Sequence, residues 1–334
     1  MTSLLYAVPG KWFQTIFLPA DQARIAGDCD VLPVPVPEAA DRGFLTAHGA
    51  QAEIIVTSWD TAPLDAEVMA RAPRLKLLVH AAGSVKPVVS EPLWERGVRV
   101  VSLAPAISYG VAEFCLGHIL TAPKRIWWAC EAERRGQWKE GLSSFGGLFE
   151  IYGQNIGIIG MGHVGRHLTQ LLKGFTCNVV AYDPYLSDVK AGQLGVRKAK
   201  TLDELFSTCR VVVLCAAGTP ETRHMITREH FAMLPAGAVF INVSRGGIFD
   251  ENELAGELRR GRFIACLDVT DVEPPATDHP YRSLPNVVLT PHIAGVAAEN
   301  RFRIGTLAAD EIHRWRYGQP LCYEVSRELL SRIA

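Results

Sequence analysis

A chain of 334 residues, 48% hydrophobic and 21% charged, has apolar material for two globular domains and lacks the composition of a disordered protein. Its net charge of -1 gives no electrostatic reason to expect a nucleic-acid partner or an anionic membrane surface. Eight cysteines, Cys29, Cys115, Cys130, Cys177, Cys209, Cys215, Cys266 and Cys322, form no C-x-x-C pair and mostly sit in apolar runs, so they read as reduced core residues of a cytosolic protein.

The opening MTSLLYAVPGKWF reaches Pro9 too early for a signal peptide, and no uninterrupted apolar stretch is long enough to span a bilayer. A soluble, cytoplasmic protein is expected. Residues 3–8 (SLLYAV), 30–36 (DVLPVPV), 54–58 (IIVTS), 75–79 (LKLLV) and 98–103 (VRVVSL) are short β-branched or leucine-rich runs. They alternate with helical stretches such as Asp65–Ala72, which predicts a small parallel α/β domain. After the fourth run comes HAAGSVK, a small-residue loop in which Gly83, Ser84 and Val85 could offer backbone amides to an anion; a plain tight turn explains it nearly as well.

Residues 109–128 (YGVAEFCLGHILTAPKRIWW) read as one long apolar helix with Pro123 as a kink or end. It is more hydrophobic than one buried face requires, so either a second subunit or the space between two domains covers the remainder. Trp138, in RRGQW, reads as reaching a neighbouring subunit's site or as an ordinary surface or core tryptophan.

The densest signal is residues 155–185. Ile156, Ile158 and Ile159 form a buried strand that ends at Gly160, and Gly162 and Gly165 follow. Gly160 permits the tight turn, Gly162 lets a pyrophosphate approach the backbone, and Gly165 lets the next helix pack on the strand. The amides of His163 and Val164 then face phosphate at the positive end of that helix. A second strand, Asn178–Tyr182, leads to Asp183, where a carboxylate would hold a ribose 2'-hydroxyl and repel a 2'-phosphate. The pattern predicts NAD rather than NADP.

Four more strands are expected, Val211–Leu214, Ala238–Val243, Phe263–Asp268 and Asn286–Thr290, giving a doubly wound sheet whose ligands lie beyond the strands' carboxyl ends. Those ends carry Cys215, Ala216, Ala217, Val243, Ser244, Arg245, Asp268 and His292. Arg245, cleared by the two glycines of INVSRGG, can hold a carboxylate through two parallel hydrogen bonds, or it can cap the next helix or pair with Asp250. His292, after a proline in LTPHIAG, suits proton transfer near neutral pH, although a lone histidine is more often structural. Glu273 in LDVTDVEPP is its candidate partner, or else a solvated loop acid.

Taken together, GVAEF, GIIGMGHVG with AYDPY, TPETRHMI, INVSRGGIFDENEL, LDVTDVEPP and HPYRSLPNVVLTPHIAG resemble the D-isomer-specific 2-hydroxyacid dehydrogenases, which include glyoxylate/hydroxypyruvate reductases and phosphoglycerate dehydrogenases. The resemblance covers nearly the whole chain. It implies an α/β fold of two doubly wound parallel-sheet domains, with a Rossmann NAD domain (108–299) inserted into a flavodoxin-like substrate domain (1–107 with 300–334). By the same resemblance Arg245 binds the substrate's carboxylate and carbonyl, His292 is the general acid/base and Glu273 supports it. Gly160, Gly162, His163, Val164, Gly165, Asp183, Ala216, Val243, Ser244, Asp268 and Gly295 are expected around NAD, and Gly83, Ser84 and Val85 around the substrate carboxylate. Homodimers would form through the helix near Val111, and domain closure would expel water.

Several positions depart from the family pattern: Lys86, Pro87, Val88 and Val89 where D-N-x-D often continues, Ser102 for a common asparagine, Cys215-Ala216-Ala217 for H-x-P, and Thr270 for an aromatic. All border the substrate or nicotinamide, so they bear on which 2-oxo acid is used. The end at Ala334 leaves no room for a regulatory domain and weighs mildly against a feedback-regulated phosphoglycerate enzyme. Two rival functions share the pattern: a formate-type dehydrogenase, and a non-enzymatic NAD-sensing protein like the corepressors that resemble this family.

Overall fold

Each central strand is an unbroken apolar run whose alternate residues enter two different cores, as a sheet covered by helices on both faces requires. The computed structural model describes residues 2–139, 143 and 147–333. The chain forms two compact units: Met1–Ile107 together with Ala297–Ala334, and Ser108–Val296.

The first unit runs β1 (Thr2–Ala7), α1 (Gly10–Ile16), α2 (Pro19–Asp28), β2 (Cys29–Val31), α3 (Arg42–His48), β3 (Ile54–Thr57), α4 (Ala66–Arg71), β4 (Leu77–His80), α5 (Glu91–Glu95) and β5 (Arg99–Ser102). The second begins with α6 (Ser108–Thr121) and α7 (Ile126–Arg134), then β6 (Asn155–Ile159), α8 (His163–Leu172), β7 (Asn178–Tyr182), α9 (Asp188–Leu194), β8 (Arg197–Lys198) and α10 (Leu202–Thr208). It continues with β9 (Val211–Leu214), α11 (Arg228–Met233), β10 (Val239–Asn242), α12 (Glu251–Leu258), β11 (Ile264–Leu267) and β12 (Val287–Leu289). The chain then re-enters the first unit as α13 (Ala298–Arg316) and β13 (Glu324–Val325).

In the first unit the strand order is β13-β5-β4-β3-β1-β2, parallel except for the edge strand β13. Its β5-β4-β3-β1-β2 part is the flavodoxin-like order. Leu4, Ile54, Val56, Leu77, Val79 and Val101 face one core, closed by Ile304, Ala308 and Ile312 of α13. Leu5, Ile55, Leu78 and Val100 face the other, with Leu45, Val68 and Leu93 from α3, α4 and α5. The second unit orders its strands β12-β11-β10-β9-β6-β7-β8, all parallel, which is the Rossmann order with one strand added. Its order reverses between β6 and β9. Val212, Leu214 and Phe240 pack under α10, α11 and α12, while Val211, Val213 and Ile241 pack under α6 and α8.

The sequence-based elements need four corrections. The run 30–36 yields only the three-residue β2, because pairing with β1 ends at Leu32 and Pro33 and Pro35 have no N–H to donate. The helix expected over 109–128 is two helices, α6 and α7. Between them Arg125 turns into the left-handed region (φ 56°), and its fully buried guanidinium donates to the carbonyls of Ala122, Gly147 and Gly237. The two-residue strands β8 and β13 carry too little pattern to be read. Finally, Cys29, Cys115, Cys209 and Cys266 are buried and Cys177 and Cys215 are partly buried against a core, but Cys130 and Cys322 are exposed, so two of the eight thiols are not core residues. No helix among the described residues is long and apolar enough to cross a membrane.

Two buried histidines tie the fold to pH. Burial pushes both His80 and His118 down to about 4. Each ring therefore stays neutral in the fold, while the unfolded chain takes up a proton near pH 6.5. Stability is fully present above that value and is lost as pH falls towards 4. Between pH 7 and 4.5 the loss is expected to be about 2 kcal/mol per ring. Urea unfolding followed by tryptophan fluorescence checks this: His118→Leu should make the fall in stability between those pH values shallower by that amount, and an unchanged fall would remove the assignment.

Candidate active site

The second unit's functional edge begins where β6 ends. Gly160 has φ 93°, and a Cβ there would lie 2.5 Å from the Ala216 backbone of the neighbouring strand end. A Cβ on Gly165 would lie 2.2 Å from the Gly160 carbonyl oxygen, so helix α8 can approach the turn only through a glycine. Gly162 differs: a Cβ there would meet no protein atom within 4 Å. It is also the N-cap of α8 and supplies no side-chain cap, so the first amides of the helix face outwards with the positive end of its dipole. Asp183, just past β7, accepts from the Met161 amide at 2.7 Å through one oxygen and from the Tyr185 amide at 2.8 Å through the other. It therefore holds the glycine turn as well as standing at the strand end.

Two, three and four strands from β6, the register Asn242↔Leu267↔Leu289 sets Arg245, Asp268 and His292 on the same edge. Arg245 is exposed, its guanidinium donates to the Ser244 carbonyl at 2.7 Å, and among the described residues it makes no ion pair. Asp250 instead caps α12 by accepting from the amides of Asn252 and Glu253. Part of the space for the arginine comes from elsewhere in sequence. A Cβ on Gly218 would strike the Arg245 stem at 2.8 Å, and one on Gly246 would lie 2.0 Å from the Asp271 amide nitrogen. The arginine loop thus lies directly on the backbone that leads to Glu273.

His292 Nδ1 and Glu273 Oε2 are 2.6 Å apart, and the other Glu273 oxygen accepts from the Thr270 amide at 3.2 Å. The histidine side chain is 51% exposed, so the ring presents its other nitrogen outwards. Its backbone sits in the left-handed region (φ 54°), uncommon for a residue with a side chain. Asp268, almost fully buried, holds it there. Its carboxylate accepts from the Thr290 hydroxyl at 2.6 Å, the Ile293 amide at 2.9 Å and the Ala294 amide at 2.8 Å, and its carbonyl accepts from the His292 amide at 2.8 Å.

Of the remaining expected positions, Ala216 and Ser244 are joined by a hydrogen bond from the serine hydroxyl to the Ala216 carbonyl, Val243 donates to Leu214, and Gly295 follows the Asp268-held loop. Gly83, Ser84 and Val85 follow β4 in the first unit. Trp138 is 73% exposed. The sequence reading credited the two glycines after Arg245 with making room but missed Gly218, and it took Asp268 for a cofactor contact without its hold on the histidine loop. A glycine closing the apolar run VVVLCAA, four residues past the end of β9, was the available signal for Gly218.

The profile of the D-isomer-specific 2-hydroxyacid dehydrogenase NAD-binding domain matches residues 116–294. The chain belongs to this family. A D-3-phosphoglycerate dehydrogenase of Mycobacterium tuberculosis is 35% identical over 291 residues, 87% of this chain and 54% of that protein. A hydroxypyruvate reductase of Thermotoga maritima is 32% identical over 254 residues, 75% of this chain and 80% of the relative. The crystal structure of a phosphoglycerate oxidoreductase from Rhizobium etli matches with a TM-score of 0.81 at 25% identity, over 98% of this chain and 99% of that one. The chain spans about half the length of the curated phosphoglycerate dehydrogenases it matches.

The second unit is thus the family's NAD-binding domain, and its residues fit the dinucleotide. The fold itself demands glycine at 160 and 165, whereas nothing in the protein crowds position 162, as expected if a ligand's pyrophosphate comes close there. The two substitutions Gly160→Ala and Gly162→Ala should therefore separate. Gly162→Ala is expected to change stability by no more than about 1 kcal/mol while weakening NADH binding at least about tenfold, whereas Gly160→Ala should destabilise the fold by about 3 kcal/mol. Thermal melts and fluorescence titration with NADH read the two effects.

Proposed function

We propose that the protein reduces a 2-oxo acid of the glyoxylate/hydroxypyruvate kind to the D-2-hydroxy acid with NADH. The observation that carries the reading is the 2.6 Å pair of His292 and Glu273, anchored on the same strand-end edge as the uncapped glycine turn. Relatives named glyoxylate reductase and hydroxypyruvate reductase support the substrate class.

Bound NADH supplies the hydride for the substrate's C2. The chain's own residues do the rest. Glu273 accepts from Nδ1–H of His292, which fixes the ring's orientation and leaves Nε2–H to protonate the oxygen that gains charge as the hydride arrives. Arg245, unpaired by any protein carboxylate among the described residues, orients the acid by a two-point hydrogen bond. The amides of Gly83, Ser84 and Val85 hold the substrate carboxylate. Asp183 takes the adenosine ribose through lone pairs not used by Met161 and Tyr185 and disfavours a 2'-phosphate, while Asp268 keeps His292 in place.

We further read the protein as a homodimer, with exposed Leu120, Ile126 and Trp127 of α6 and α7 in the contact; a light-scattering mass near a single chain's 36.6 kDa would count against this.

His292→Ala is expected to lower turnover by about two to four orders of magnitude with NADH affinity unchanged. NADH oxidation assayed with glyoxylate, hydroxypyruvate, pyruvate, phenylpyruvate and branched 2-oxo acids, alongside a fluorescence titration, checks both halves. Normal turnover in the variant would overturn the histidine's role. Tight NADH binding without turnover of any acid would favour the NAD-sensing reading.

A further inference from the structure

Glu273 rides on a segment that its own amides do not hold. Among the described residues none of the amides from Val272 to Asp278 donates to another protein group, and Pro274 and Pro275 have no N–H at all. Only carbonyls of the segment are used, that of Val272 by the Thr270 hydroxyl, those of Pro275 and Ala276 by the Arg282 guanidinium and that of Ala276 also by the His279 amide. Val272 is 72% exposed. A stretch of this kind keeps one conformation only where groups outside it take up its ends. Its carboxylate nevertheless stands 2.6 Å from His292 Nδ1.

Both ends are taken by one side chain. Glu251, at the start of α12 and just beyond the arginine loop, accepts from the Asp271 amide at 3.1 Å through Oε1, and its Oε2 lies 3.2 Å from His279 Nε2. The other nitrogen of that ring, Nδ1, accepts from the Tyr281 amide at 3.4 Å, so Nε2 carries the proton and donates to the carboxylate. The hydroxyl of Tyr281, whose ring is almost fully buried, donates to the Glu251 carbonyl at 3.2 Å. The side chains of Glu251 and His279 are only 17% and 15% exposed, which shelters these bonds from competing water.

The near end of the segment is the critical one. A Cβ on Gly246 would lie 2.0 Å from the Asp271 nitrogen and one on Gly247 2.6 Å from an Asp271 carboxylate oxygen, so the arginine loop passes directly against the residue whose amide Glu251 takes. The amide before it, that of Thr270, donates to Glu273 Oε1 at 3.2 Å, so whatever fixes the backbone at Asp271 also fixes the donor that holds the Glu273 carboxylate. We propose that Glu251 is a positioning residue for the reaction: its carboxylate closes the 271–279 segment at both ends and thereby keeps Glu273 against His292. This rests on the reading above that His292 and Glu273 carry the proton transfer.

A double-mutant cycle on kcat tests it, with KM for NADH and the stoichiometry of NADH binding measured alongside. Glu251→Ala should lower kcat about tenfold or more while KM for NADH and the number of NADH sites stay unchanged. Glu251→Gln has one carbonyl oxygen, which can accept from Asp271 or from His279 but not from both, and should recover part of the loss. The deciding comparison is made in a Glu273→Ala background, where a residue that acts through Glu273 has nothing left to position: there Glu251→Ala should change kcat less than about twofold. Losses that multiply in full, or a fall in NADH sites that matches the fall in kcat, would show a general structural effect and overturn the proposal. His279→Leu, which frees the far end alone, carries the same cycle if Glu251→Ala fails to fold. If Glu273→Ala lowers kcat and neither Glu251→Ala nor His279→Leu does, the positioning role is wrong and the proton-transfer reading stands. If Glu273→Ala leaves kcat unchanged, that reading fails and takes the role of Glu251 with it.

Discussion

The buried carboxylate of Asp268 decides where the imidazole of His292 stands. The residue at 292 adopts a left-handed backbone that costs about 1 kcal/mol or more for a side chain with a Cβ. It persists because a hydroxyl and two amides of the following loop converge on one carboxylate, with a fourth bond through the Asp268 carbonyl. Charge-assisted bonds of this kind contribute about 1.5–3 kcal/mol each, enough together to hold the strained turn. Removing the carboxylate would release the histidine from Glu273 without touching either residue. A histidine–glutamate pair 2.6 Å apart therefore depends on a third acid that belongs to the strand, not to the pair.

Parallel sheets explain why that anchor can be shared. The ends of β10, β11 and β12 stand in adjacent register, so one strand's terminal carboxylate reaches the loop of the next. The same adjacency presses the backbone of Gly246 on the Thr270–Asp271 peptide, linking the arginine loop to the segment that carries Glu273. A side chain at 246 would push these loops apart by more than the packing of either could absorb. Arg245, Glu273 and His292 are thus held by backbone contacts between neighbouring strand ends, while Glu273 is spent on the histidine and the Thr270 amide and the His292 ring stays half exposed. In the first unit the register likewise sets Thr57 beside His80 at the ends of β3 and β4, where the buried pair offsets its desolvation by a 3.0 Å hydrogen bond between hydroxyl and ring.

What the sequence made legible was local. Residues 155–185 carry strand, glycine turn, helix, strand and acid within one contiguous segment, each with a distinct periodicity or residue type, and the structure returns them within a residue or two. The apolar runs of β3, β5, β9 and β10 were visible for the same reason. Where the reading failed, the deciding contact came from far along the chain. Residues 30–36 look like a strand until Pro33 and Pro35 are asked to donate to β1, and 109–128 looks like one helix until Arg125 finds the carbonyls of Gly147 and Gly237. Asp268 and His80 illustrate the harder case. Each is an ordinary polar residue at a strand end, and only the hydrogen bonds made to residues 290–294, or to the Thr57 hydroxyl, show what it holds.

The glycines show how fold and ligand can be told apart without a ligand in view. A glycine required by the protein's own packing leaves a signature, namely a backbone atom where its Cβ would be: Ala216 for Gly160, the Gly160 carbonyl for Gly165, Asp271 for Gly246. A glycine with an ordinary backbone and open space around it, as at Gly162, has no such internal reason. The motif reads the same at all three of its positions, yet two of the glycines serve the strand-to-helix turn and the third is left free of the protein's own packing. That asymmetry lets folding and ligand contact be tested separately in a segment where one amino acid fills all three positions.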